Sequence, residues 1–96
     1  MKVVKAKPFP SNPELRASKQ LGDAVRSART RSGLTIADAA MSIGIAKQTL
    51  SDLELGKPTV SLGNALKIAE QLGVALFMVP SERREQVKRK LASNES

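Results

Sequence analysis

The sequence predicts an all-α chain of four to five short helices followed by one short strand. Three observations predict it. Glycines at 33, 44, 56 and 73 divide residues 18–73 into segments of helix length. Within those segments apolar residues recur every three or four positions, the spacing of one face of an α-helix. Apolar residues make up 41% of the chain, yet it holds two Phe and no Trp or Tyr. The core must therefore be built from Leu, Ile, Val and Ala, which suits small packed helices. Ninety-six residues are enough for one domain with a modest core.

Residues 1–17 carry Pro8, Pro10 and Pro13 and no helical period. Proline removes amide donors and pushes the preceding residue into extended geometry, so this stretch reads as a flexible basic arm. The first helix begins at Ser18, a suitable N-cap, and sets Leu21, Val25 and Ala28 on one narrow stripe. Arg26, Arg29 and Arg31 gather toward its C-terminal end, where cations complement the helix dipole. Thr35 caps the second helix, with Asp38 three residues on, and Ala39 and Ala40 allow another helix to approach closely. Gly44 ends it after about two turns, and Ile45 plugs the gap before the third helix.

That third helix, within "AKQTLSDLELG", turns Leu50 and Leu53 inward and leaves Lys47, Gln48, Thr49, Ser51 and Asp52 on its remaining side. Gly56 stops it and Pro58 forbids an early restart. Ser61 caps the fourth helix, whose Leu62, Leu66, Ala69 and Leu72 follow the three-to-four period. "VALFMV", residues 74–79, is a run of six apolar residues ended by Pro80, which favours a strand. One chain offers that strand no obvious partner. Pairing of Val74, Leu76, Phe77, Met78 and Val79 with the same strand of a second copy satisfies both edges and gives a two-fold homodimer. Residues 81–96 form a charged tail, frayed or helical, with little to bury. The expected divisions are thus an arm over 1–17, a helical domain over 18–73, a dimerisation strand over 74–80 and the tail over 81–96.

Charge and composition narrow the function. The net charge is +7, and residues 1–17 set four basic side chains against Glu14 alone. A balance of this kind points to a polyanion. There is no His and no Cys, which removes zinc sites, thiol nucleophiles, disulfides and the commonest general base. No clustered carboxylates stand near a phosphate-binding loop, so no catalytic residue, metal or cofactor is expected. No apolar run approaches the ~20 residues that span a bilayer, and no signal-peptide stretch opens the chain. A cytoplasmic protein with no membrane partner is expected.

Residues 21–72 resemble the helix-turn-helix domain of the Cro/CI-type repressors, the XRE family. The likeness runs in order through "LGDAVRSARTRSGLT", "AA..IGI" and "TLSDLELGKPTVSLGNALKIAEQLGV". A fourth helix running into an apolar strand is similar to the HipB-like antitoxin subgroup. The resemblance implies a lambda-repressor-like fold in which the third helix enters the major groove of double-stranded DNA. It implies base contacts by Lys47, Gln48, Thr49 and Asp52, and phosphate contacts by Thr35, Ser51, Lys57 and Thr59. Gln48 can bond adenine in two places, and the Thr49 methyl can touch thymine. The resemblance also implies a salt bridge between Arg29 and Glu54, joining the first helix to the third. Two positions depart from the pattern: Ile36 replaces the usual phosphate-gripping Gln, and Ala46 replaces the usual capping Ser or Thr. The function implied is a homodimeric, autoregulatory repressor on an inverted repeat. The alternative is an antitoxin whose main partner is a toxin, a HipA-like kinase.

Overall fold

The start and end of each helix follow from its end groups. In the computed structural model, which describes residues 3–92, the order is α1 (Ser18–Arg31), α2 (Ile36–Ile43), α3 (Lys47–Glu54), α4 (Leu62–Gln71), a 3-10 turn (Ser81–Arg83) and α5 (Arg84–Ala92). The outermost parts of the expected arm and tail, residues 1–2 and 93–96, lie outside the described residues. Thr35 and Ser61 cap α2 and α4 by accepting from the amides of Asp38 and Asn64. Gly44 closes α2 with φ of 84°, a left-handed turn that costs glycine nothing, and so turns the chain sharply into α3.

One core holds α1 to α4 together. Val25, Ala39, Ala40, Ile43, Leu50, Leu53, Ala65 and Ile68 are buried, with Leu21, Leu34, Ile36, Ile45, Val60 and Leu72 packed around them. A smaller cluster of Ala24, Ala69 and Val74, with Ala28 beside it, fixes the exit of α4 onto α1. The closest approach is between α1 and α3. A Cβ built on Gly22 would fall 2.8 Å from the Glu54 carbonyl oxygen and nearer still to that of Leu53. Only glycine lets the two backbones meet there.

Several expectations need correction. Ser18 does not cap α1: it is the first residue inside the helix, and Ala17, whose methyl has nothing to accept with, holds the cap position without a side-chain bond. The buried face of α4 is Ala65, Ile68 and Ala69, while Leu62 and Leu66 are exposed by 73% and 48%. This helix has apolar residues on more than one face, and the small residues win the contact since they admit closer backbones. Residues 74–80 form no strand in the single chain. A strand exists only through ladder bonds to a neighbour, and the described residues include no second strand to supply them. Val74 is buried; Phe77 and Met78 are 80% and 99% exposed.

The arm does not hang free. It runs antiparallel along α1, with the Lys7 amide donating to Thr30 Oγ1 (2.9 Å) at one end and Gln20 Nε2 donating to the Asn12 carbonyl (3.0 Å) at the other. Glu14, the one acid of residues 1–17, then ties arm to tail through Arg84 (2.9 Å) and Lys88 (3.0 Å). The Lys88 bond, helped by the charges of Arg84 and Arg16, holds the Glu14 carboxyl below its ordinary 4.5.

Four outcomes are expected. Helix propensity alone would make Gly22→Ala stabilising by up to ~1 kcal/mol. The clash with two backbone carbonyls outweighs that, so the variant should lose about 2 kcal/mol or more in urea unfolding. Gly63→Ala, whose Cβ meets nothing within 4 Å, should be neutral or slightly stabilising. Because the Glu14 pKa is depressed on folding, its contribution is present above pH 4.5 and lost as pH falls through the lower folded value. Amide NMR shifts of α5 should therefore move below pH 4.5, and Glu14→Gln should place them near the acid position at neutral pH.

Candidate nucleic-acid interface

Eight residues make α3 about 12 Å long, and a helix about 10–12 Å across with its side chains fits a major groove about 12 Å wide. Its inner side is spent on the core: Leu50 and Leu53 are 0% and 4% exposed. Its outer side begins with Lys47 and Gln48, both exposed, then Thr49, Ser51 and Asp52, each half-buried. Ala46 holds the N-cap position without a side-chain bond, so the first amides of α3 stay open at that end.

A buried ion pair holds the helix to the core from behind. Arg29 of α1 meets Glu54 of α3 through Nε–Oε2 (2.6 Å) and Nη2–Oε1 (2.9 Å), a two-point fork with both side chains less than a tenth exposed. The remaining guanidinium nitrogen, Nη1, donates to the Leu34 carbonyl at 2.8 Å. One arginine thereby joins α1, the turn before α2 and the end of α3. Two-point geometry and a partner for each of the three guanidinium nitrogens are what let a buried pair offset its desolvation.

On the solvent side the structure brings three of the expected site residues together. Gln48 Nε2 donates to Asp52 Oδ1 at 2.8 Å, and Lys57 Nζ lies 3.2 Å from the same oxygen. The Gln48 bond, and after it Lys57, keeps the Asp52 carboxyl below its ordinary 3.8, so it is anionic at neutral pH. Its charge is spent within the protein. The other expected contacts stand apart from this group. Thr35 sits at the start of α2 with its hydroxyl accepting from the Asp38 amide, and Thr59 is exposed in the turn after α3.

Sequence reasoning missed two residues that shape this surface. Gly22 sets how closely α3 lies on α1; the available signal was a glycine inside a periodic helix, where a packing reason should be sought. The tie from Arg29 to the Leu34 carbonyl has no sequence signal, since any residue supplies a carbonyl.

Removing one partner of the buried pair should be costly. Glu54→Ala leaves Arg29 buried and unpaired, and should lower stability by about 3–5 kcal/mol. An apolar replacement of both, Arg29→Met with Glu54→Leu, should recover most of the loss. Equal losses in the single and double variants, measured by denaturant titration, would contradict this.

Comparison with known proteins agrees with this geometry. The helix-turn-helix family pattern HTH_3 matches residues 25–77. An uncharacterised HTH-type transcriptional regulator, y4mF, of Sinorhizobium fredii is 33% identical over 66 residues, covering 68% of this chain and 87% of that protein. Among solved structures, HipB in complex with an O4 20mer is 25% identical, with a TM-score of 0.63 over 71% of this chain and 96% of that one. The HipA-HipB-O2-O3 complex gives the same identity, TM-score and coverage. No helix among the described residues is long and apolar enough to cross a membrane. The chain belongs to the helix-turn-helix family, as a Cro/CI-type (XRE) member with a HipB-like fold.

Proposed function

We propose that this chain is a cytoplasmic, DNA-binding transcriptional repressor that acts as a homodimer on an inverted repeat, with its own promoter as the natural target. The observation that carries the reading is α3 itself: a two-turn helix locked to α1 by a buried ion pair, with Lys47 and Gln48 exposed at its leading end. A helix that must report base identity has to be both exposed and firmly held; α3 is exposed at its leading end and tied to α1 by the buried pair. The HipB structure solved with an O4 20mer supports it.

In the proposed complex, Lys47, Gln48, Thr49 and Asp52 make up the side of α3 that faces base edges. Thr35, Ser51, Lys57 and Thr59 lie toward the phosphates. Ile36 and Ala46 give fewer phosphate bonds than the family pattern supplies, so affinity leans on the dimer and on the remaining basic groups. In this reading the dimer forms through residues 74–79, whose exposed Phe77 and Met78 call for a second copy.

A second reading has one specific observation behind it: a structural neighbour is assembled with HipA. In that reading the chain is an antitoxin, and DNA binding serves autoregulation. A toxin-kinase gene beside this one, whose product binds the purified chain, would favour it; a solitary gene counts against it.

Selection from random duplex DNA with the purified protein tests the first reading. A palindromic consensus with half-sites about 34–36 Å apart, or a multiple of that, is expected. No enrichment would sink it. On the selected duplex, Lys57→Ala should weaken binding almost uniformly across sequences and flatten the salt slope by about one unit.

A further inference from the structure

We propose that Asp52 is a positioning residue, which fixes the side-chain amide of Gln48 in the one orientation that reads a base and does not itself touch one. This rests on the reading of α3 as the helix that enters the major groove.

The geometry is that of a support one turn behind a reader. Gln48 and Asp52 are four apart on α3, so their side chains lie over each other on one face, and Nε2 donates to Oδ1 at 2.8 Å. Asp52 has little freedom: its side chain is only 22% exposed, and Lys57 pulls on the same oxygen at 3.2 Å. Lys57 belongs to the segment after α3, so the support reaches beyond the helix. Asp52 Oδ1 is thus held from two sides, by Gln48 and by Lys57.

Carboxylate chemistry decides which way the amide faces. An ionised Asp accepts hydrogen bonds and donates none. It therefore takes the NH2 end of Gln48 and rejects the flipped amide, which would set two acceptors against each other. The Gln48 carbonyl oxygen and the second hydrogen on Nε2 carry no other bond among the described residues. Those are the acceptor and the donor that a two-point contact with adenine requires. A free glutamine offers either orientation and must be ordered on binding; this one is ordered beforehand.

Lys57 answers the objection that a carboxylate on a DNA-facing helix repels phosphate. Its ammonium stands against Asp52 and has further hydrogens to give to a phosphate. The pair presents little net charge to the groove.

The test uses the full chain and the duplex enriched by the wild-type protein, with base preference as the readout and thermal melting as a check on folding. Gln48→Ala should reduce discrimination at one or two base pairs by between about five- and a hundredfold. Asp52→Ala should lose discrimination at those same base pairs, and Gln48→Ala/Asp52→Ala should lose no more than Gln48→Ala alone. Asp52→Asn supplies a donor as well as an acceptor, so it admits either amide orientation of Gln48 and should lose part of the preference at those same base pairs. If Asp52→Ala instead alters preference at a different base pair, or if the two losses multiply in the double variant, Asp52 reads a base directly and the proposal is wrong. If the wild-type protein enriches no sequence at all, the placement of α3 in the groove fails first and takes the proposal with it. Because the check on wild type precedes the variants, the two failures are distinguishable.

Discussion

Everything the surface of α3 can do depends on how α3 is held to α1. The hold has two parts with different physics. The pair of Arg29 and Glu54 supplies direction: two parallel hydrogen bonds fix the angle between a guanidinium and a carboxylate, and a third fastens the turn at Leu34. Gly22 supplies distance, by letting backbone rest against backbone at the end of α3. Buried ion pairs are poor sources of net stability, because desolvating two charges consumes most of what their attraction returns. Apolar side chains of the same volume would stabilise at least as well but would tolerate a range of crossing angles. For a helix that must place individual side chains against a rigid partner, orientation is the scarcer quantity.

The same economy appears on the outer face. α3 has no acidic or basic residue spent on its own dipole in the positions where stability would want one, and no side-chain cap at Ala46. Local helix stability is low by these measures, and an isolated eight-residue segment would not be helical in water. The helix exists because Leu50, Leu53 and Glu54 are clamped by the rest of the domain. Its free side is then available for polar groups chosen for another purpose, and three of them, Gln48, Asp52 and Lys57, are already joined to one another.

How much of this could be read from residues alone differs by feature. The helices and their order were legible because glycine stops and apolar spacing are local signals. Leu50 and Leu53 were legible as the inward side of α3 for the same reason, and they are indeed buried. The pairing of Arg29 with Glu54 needed the family resemblance, since nothing local relates residues 25 apart. On α4 the period fitted two faces, and Leu62 and Leu66 are exposed because hydrophobicity does not say which apolar face wins a close contact. Proline spacing described the arm's backbone correctly as irregular, but not its docking. That depends on the Thr30 hydroxyl and the Gln20 amide, side chains whose partners are backbone groups carrying no sequence identity.

Residues 74–79 present the sharpest conflict between local preference and the isolated chain. Their composition favours a strand, yet the fold gives them no partner, and Phe77 and Met78 stand almost fully in water. Exposed apolar side chains cost free energy in water, and an unpaired extended segment forgoes the net gain of ladder bonds over bonds to water. The proposed repressor has a matching deficit on the DNA side. One short helix reaches few base pairs, and at about 1–3 kcal/mol for each mismatch it cannot single out a site among a genome's competitors. In the proposed dimer, pairing two copies through 74–79 would remove both deficits by one event, completing the strand and doubling the bases read. Dimerisation and site recognition are then thermodynamically linked. Whatever strengthens the pairing of these segments raises operator occupancy without changing a single contact between α3 and a base.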